Sequence, residues 1–424
     1  MMTPTKDEVG ATLSSSTDAD GASRSKARDV ARGAVELPLH LTEKILCCIN
    51  PLASARLATV CKSWAATISE RLARPVPHLF VYLPADNKSD RRGRVVSVPI
   101  AYDGDDDVGG APPVPAVIPN RVLLADTNGL ACIGAMPSGH LAFASWWSKI
   151  LVLINPITGA RQSVQAEEPR RSLVLAAGGG DSFISVGTDE HILSRRAGGG
   201  EEWSRWTVPA AAAHGIVNII SAAVCSGGCF YILDDDGYVS VIDVAGPPPL
   251  RMEKLPVASL FDGDHAVASP AVLKPPTKGH LLESDGEVLF VRPVLAFKDE
   301  LFGAGGGTTF CNHDAAVFLA VLGFEVYRLD MKDRRWAKME KLPGDRAIFV
   351  SPGSSFVVRT SETVGCRSNW IYFVGNKWYC SLCNRDAGKA WGVYSMEDRE
   401  VLFEHAVTEP GPCSAATWFL PRVV

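Results

Sequence analysis

No run of apolar residues in this chain is long enough to span a bilayer. The most apolar stretches, such as Ala315 to Phe324, reach about ten residues where a spanning helix needs about twenty. A dominant charge is missing too. Among 424 residues, 42 basic side chains stand against 47 acidic ones, which gives no global pull toward nucleic acid or an anionic membrane. No secretory signal is evident, and the eleven cysteines are odd in number and scattered without a framework. That usage fits free thiols in a reducing compartment, so the expected location is the cytoplasm, the nucleus or both. Asn87-Lys88-Ser89 matches a glycosylation sequon, which has no meaning outside the secretory route.

Catalytic motifs are equally scarce. The Gly388-Lys389 pair is followed by Ala390, so it is not a phosphate-binding loop, and residues 303–307 hold too many glycines in the wrong frame for a dinucleotide fingerprint. Neither a nucleophile elbow nor a zinc-protease helix motif occurs, and His191, His214, His265, His280 and His313 form no motif. Asp103, Asp105 and Asp107 suggest a calcium loop, but Val108 replaces the required glycine and Val114 the closing glutamate. Residues 103–119 therefore read as a solvated loop. Cys380 and Cys383 have metal-ligand spacing, yet a structural zinc site needs four ligands, and Cys366, His405 and Cys413 are single and distant. The expectation is a chain without catalytic residues, metal or cofactor.

What is present begins at Leu37. Pro38 suits the first turn of a helix, and Leu41, Ile45 and Ile49 follow at i, i+4 and i+8. Pro51 ends that helix. A second apolar stripe, Leu57, Val60, Cys61, Trp64, Ile68 and Leu72, recurs at spacings of three and four. About forty residues cannot bury so many large apolar groups unaided, so part of this surface is expected to face a partner. An ordinary helical pair packed on the rest of the chain is the plainer alternative.

The order of these residues resembles an F-box: Leu37-Pro38, Ile45-Leu46, Pro51-Leu52, then Leu57 through Trp64 with Cys61. The resemblance implies a three-helix module over 34–76 that binds a Skp-type adaptor and, through it, cullin and RING subunits. It implies an adaptor surface of Leu37, Pro38, Leu41, Ile45, Leu46, Leu52, Leu57, Val60, Cys61 and Trp64. Residues 1–33, rich in small polar and charged groups, are expected to be a disordered tail.

Beyond residue 121 helical periodicity gives way to short Val-, Ile- and Phe-rich runs separated by Gly, Asp, Asn and Pro, the pattern of many short strands. Three stretches repeat a strand ending in Asn or Asp, a tight turn and a second strand. These are Ile150 to Gln165, Tyr238 to Leu255 and Phe324 to Glu340. Asn155, Asp243 and Asp330 lie 88 and 87 residues apart, twice a spacing of about 44 that suits four-stranded propeller blades. Weaker copies run from His191 to Trp206 and from Trp391 to Glu404, and feeding strands are expected at 141–144, 230–233, 288–291 and 371–374. One four-stranded sheet cannot cover both its faces; stacking sheets around an axis does. Paired β-sandwiches are the rival architecture. The fold expected is a multidomain α plus all-β chain: the small F-box, a linker over 77–120 holding a first strand, and a propeller over 121–424, with six blades from the repeat length.

This region is similar to the domain of unknown function that follows F-boxes in a plant family, whose relatives are regarded as kelch-like propellers. Leu281–Val291, Phe324–Asp330 with Trp336, Leu342–Phe349, Asn369–Phe373 and Thr417–Pro421 carry the likeness. Trp370 departs from it where relatives often carry cysteine. The implied function is substrate recognition for an SCF-type ubiquitin ligase, with an unknown protein as target and neither nucleic acid nor membrane as partner. A ligase-independent scaffold and a propeller-based enzyme are the rival classes. Trp146-Trp147, whose rings must face opposite ways on a strand, is a candidate recognition feature, and Arg91, Arg92, Arg94, Arg170 and Arg171 are candidate contacts for an acidic partner.

Overall fold

The computed structural model describes residues 37–38, 40–42, 45, 57, 60–73, 77–82, 94–97, 116–119, 130–144, 150–156, 158–165, 172–178, 180–186, 190–196, 202–209, 218–225, 227–245, 250–261, 272–273, 279–298, 316–363, 365–380, 385–408 and 415–420. One continuous helix, α1 (Lys62–Ala73), is found among them, with helical residues at 40–42, 45 and 57. No helix among the described residues is long and apolar enough to cross a membrane.

The rest is antiparallel meander. Strands β4 (Ala131–Ala135), β5 (Leu141–Ala144), β6 (Ile150–Ile154) and β7 (Arg161–Gln165) form one sheet in that order. The next pair of meanders share a sheet. They are β8 (Ser172–Gly178), β9 (Ser182–Val186), β10 (Glu190–Arg196) and β11 (Trp203–Pro209), then β12 (Ile219–Val224), β13 (Cys229–Asp234), β14 (Val239–Asp243) and β15 (Met252–Lys254). They join where β8 and β12 run parallel, Ala176 opposite Ala222 and Gly178 opposite Val224.

A ten-stranded sheet holds the next part of the chain. Its first meander is β17 (His280–Ser284), β18 (Glu287–Lys298), β19 (Ala316–Asp330) and β20 (Arg335–Met339), with β16 (Val272–Leu273) on the far end of β18. Its second group is β21 (Arg346–Ser351), β22 (Ser354–Arg359), β23 (Trp370–Cys380), β24 (Arg385–Ser395) and β25 (Glu400–Thr408). There β21 lies antiparallel to β22 and parallel to β23. The overlong β19 joins the two groups by pairing Ala316–Phe318 with Trp378–Cys380.

The remaining strands bring distant parts of the chain together. In register, β1 (His78–Tyr82) pairs with β26 (Ala415–Phe419), His78 opposite Phe419. Strand β2 (Arg94–Ser97) pairs with β3 (Ala116–Pro119). Strand β1 is the first strand expected in the linker, and the β2–β3 pair adds to that reading. The segment expected to be a linker contains three strands, Arg94 begins one of them, and residues 116–119 form a strand rather than the end of a solvated loop.

The five repeats correspond to the hairpins β6–β7, β10–β11, β14–β15, β19–β20 and β24–β25, and the feeding strands to β5, β13, β18 and β23. Their acidic or amide residues have a mechanical role. Asn155 Oδ1 accepts the Thr158 N–H at 3.1 Å, Asp243 Oδ1 the Ala245 N–H at 2.9 Å, and Asp330 Oδ1 the Lys332 and Asp333 N–H groups at 3.0 and 2.9 Å. A short side-chain acceptor closes each turn. In the last copy Ser395 takes that place, its Oγ accepting the Asp398 N–H at 3.1 Å.

Successive residues of a strand feed different cores. Ala347 and Phe349 join one hydrophobic cluster, while Ile348 and Val350 join another. Leu289 and Val291 likewise face one neighbouring sheet, and Val288 and Phe290 the other. Strands buried on both faces read as continuous apolar runs rather than as alternation, which is why helix–strand arbitration by period alone fails here. The clusters among the described residues link each sheet group to the next around a cycle. The last link joins β21–β24 to β1 and β26 through Trp418, which is fully buried and meets Phe349 edge-on at 5.3 Å and Trp391 at 6.1 Å. At the inner rim the packing is backbone on backbone: a Cβ at Gly353 would fall 1.6 Å from the Ile133 carbonyl oxygen, and one at Gly134 1.9 Å from that of Gly353. Only glycine fits at that crossing.

One buried ion pair braces the fold. Arg292 donates through Nε and Nη2 to Glu325 Oε2 at 2.9 and 2.8 Å, while Lys338 donates to Oε1 at 3.2 Å. Arg292 is thus paired and hydrogen-bonded, as a buried charge must be.

Trp418→Ala should destabilise the chain by about 3–5 kcal/mol, the usual cost of deleting a fully buried large aromatic. Denaturant unfolding measures it, and hydrogen exchange should rise first in β1. A change under about 1 kcal/mol would show that the β26 contact closes nothing.

Candidate functional site

Two places among the described residues stand out from the rest of the surface. The first is the segment at 37–73. Among the described residues, seven large apolar side chains are exposed, and four of them fall here: Leu37 (41%), Leu41 (39%), Ile45 (37%) and Val60 (64%). Pro38 opens the turn as its φ predicts, its carbonyl accepting the Leu41 and Thr42 N–H groups at 2.9 and 3.1 Å. Leu41 and Ile45 then lie one helical turn apart, both open to solvent. Pro38 is exposed, Leu57, Cys61 and Trp64 are half-buried, and Leu46 and Leu52 lie outside the described residues.

The second stripe departs from expectation in its register. α1 starts at Lys62, so Leu57 and Val60 precede it, and Val60 sits in a turn whose N–H reaches the Leu57 carbonyl at 3.0 Å. Ile68, by contrast, is buried. The stripe therefore divides: Ile68 anchors α1 on the chain, and Val60 projects outward. Spacing alone could not separate these roles, because it assumed one unbroken helix.

The second place is a cavity of about 490 Å³ at the centre of the ring. Its wall comes from β4, β8, β12, β17 and β22, with the overlong ends of β18, β19 and β23 added. Apolar groups such as Ile133, Leu175, Ile220, Val321 and Phe373 dominate it. The polar groups are few: Ser221, His280, Ser354, Ser355 and Asn376. His280 Nδ1 shares a 2.8 Å hydrogen bond with Ser355 Oγ, and Ser221 Oγ accepts the Leu281 N–H at 2.8 Å, fixing β17 beside β12. Burial pushes the His280 pKa down to about 4, so the ring is neutral at physiological pH. None of the described lining residues is Asp, Glu, Lys or Arg. No motif marks this site, because its residues come in short pieces from strands far apart in the chain.

Other candidates resolve as follows. Trp203 is half-buried against Phe183 at 5.5 Å, and Trp391 is buried, as wedge-filling residues should be. Trp146, Trp147, Arg91, Arg92, Arg170, Arg171 and Cys383 lie outside the described residues, as do Asp103, Asp105, Asp107 and residues 303–307. Among the described residues no group of three or more His, Cys, Asp or Glu side chains could hold a metal. The thiols of Cys132 and Cys225 are pushed up to about 12 and that of Cys366 to about 11 by burial, which makes them poor nucleophiles.

A family model agrees with the ring geometry: described as KIB1-4 beta-propeller, it matches residues 114–395, about two thirds of the chain. The chain belongs to the KIB1-4 beta-propeller family. An F-box protein of Arabidopsis thaliana is 44% identical over 55 residues, 13% of this chain and 16% of the length of that relative. Solved structures with some likeness include a streptogramin B lyase, at 9% identity and a TM-score of 0.33, covering 69% of this chain and 93% of that one. Apo AztD from Citrobacter koseri is another, at 15% identity and 0.29, covering 68% and 64%.

The lowered pKa of His280 carries a pH signature. Between about pH 6.5 and 4 the unfolded chain takes up a proton there that the folded chain refuses, so folding stability falls across that window as pH drops. The stability margin of the parent over His280→Gln should therefore narrow from pH 7 to pH 4.5, as read from denaturant midpoints. A margin independent of pH would place the imidazole in water.

Proposed function

We propose that this chain is a substrate receptor of an SCF-type cullin–RING ubiquitin ligase. In this reading the segment at 37–73 docks on a Skp-type adaptor, and the propeller holds a target protein. Six blades suit the strand grouping, with β26, β1, β2 and β3 as the blade that closes the ring. The observation that carries the proposal is the concentration of exposed large apolar side chains at Leu37, Leu41, Ile45 and Val60, four of the seven found among the described residues, the kind of cluster that a partner covers. The short match to an F-box protein supports the same assignment.

The contribution to catalysis is proximity. Tethering target and charged conjugating enzyme on one scaffold raises the effective concentration of target lysines near the thioester. The chain itself breaks no bond in this scheme and needs no cofactor, and its place of action is the cytosol or nucleus. The single titratable side chain in the described cavity wall, a neutral histidine, favours binding over bond chemistry.

The double variant Leu41→Asp, Ile45→Asp should lose co-purification with the adaptor by about tenfold or more, since it buries two charges in an apolar interface. Its melting temperature should stay near that of the parent, because both side chains are exposed. Adaptor capture that survives the substitution would overturn the proposal. Capture lost in step with ubiquitinated targets separates a ligase receptor from a scaffold, in which targets would not accumulate under proteasome inhibition.

A further inference from the structure

We propose that the central cavity is a binding site for an uncharged, largely apolar small molecule carrying one hydroxyl, amine or carbonyl group, held through His280. Three properties of the wall define this ligand. Its volume, about 490 Å³, lies within the roughly 300–1,000 Å³ of small-molecule sites and holds only a few residues of a peptide. Its described lining carries no charged side chain, so a charged ligand would be desolvated there without a partner. Three of its polar groups gather at one place, Ser355 bonded to His280 and Ser221 bonded to the backbone of the next residue, Leu281.

That place is His280. Its Nδ1 is engaged by Ser355 Oγ at 2.8 Å, which leaves Nε2 as the ring atom for a ligand. With Ser355 donating to Nδ1, Nε2–H donates to a carbonyl or hydroxyl; with the other tautomer, Nε2 accepts from a hydroxyl or amine. Asn376, across the cavity on β23, has its amide oxygen fixed by the Lys389 ammonium. Gly375 beside it leaves open space: a Cβ there would meet nothing nearer than Val321 Cγ2 at 3.9 Å. The cavity is thus a preformed apolar chamber with one hydrogen-bonding post, the usual build of a small-molecule site.

The site is independent of adaptor docking, since its residues are on the propeller and those of the adaptor surface lie at 37–73.

The test uses the full-length purified chain and two fluorophores that share a scaffold, neutral N-phenylnaphthylamine and anionic anilinonaphthalene sulfonate. The neutral probe should bind saturably at one site, with the sulfonate about tenfold weaker or worse. Gly375→Phe should abolish binding of the neutral probe by filling the chamber. His280→Leu, which keeps the volume but removes the post, should weaken it about threefold to tenfold. Melting temperatures near that of the parent verify that the variants are folded, and His280→Leu serves should Gly375→Phe fail to fold. A parent chain that takes up no neutral probe would sink the proposal. So would equal uptake of both probes, or uptake indifferent to both substitutions, since either places the dye on outer surface.

Discussion

Among the described residues, the β1–β26 pair and the sheet groups from β4 to β25 are apolar on both faces, and the fold exists because each of those faces finds another sheet. Phe349 and Ile348, adjacent in sequence, serve two different cores, and so do Phe290 and Leu289. No sheet is stable alone under that condition, so stability belongs to the cycle of contacts and not to any one of its members. The β1–β26 pair is the point at which the cycle shuts, with Trp418 packed between Phe349 and Trp391. The Gly134–Gly353 crossing sets how near the inner strands approach on the cavity side.

The same arrangement explains the two sites. Stacked sheets fill the wedges between them but leave the axis open, and mostly apolar residues with a few polar ones line what remains. The apolar row at Leu37, Leu41 and Ile45 lies on a different part of the chain, outside that cycle. It resembles one more half-finished interface, and an external partner is the natural complement. Under the proposed function, the segment at 37–73 would do the docking and the propeller the selecting.

Much of the architecture was legible in the sequence. The repeat of about 44 residues between Asn155, Asp243 and Asp330 worked because each side chain closes the same turn in the same hairpin. Short-range hydrogen bonding leaves a local mark, and local marks are readable. The closing strand β1 was noticed only as part of a linker, because its partner β26 lies more than three hundred residues away and no turn links them. Spacing could not show that Val60 sits in the turn before Lys62 rather than on α1, because a turn residue and a helical one can share the same interval. His280 looked featureless for want of neighbours in sequence, since Ser355 reaches it only when the ring is built.

The late position of β26 in the chain has a consequence for biosynthesis. Until that strand leaves the ribosome, Leu79, Phe80 and Val81 on one side and Phe349 and Tyr372 on the other have no lid, although all are fully buried in the finished molecule. The nascent polypeptide must carry this sticky seam until the whole stretch from β1 to β26 has been made, a natural substrate for holdase chaperones. Nonsense or frameshift lesions at residue 414 or just before it would thus yield an open, aggregation-prone horseshoe.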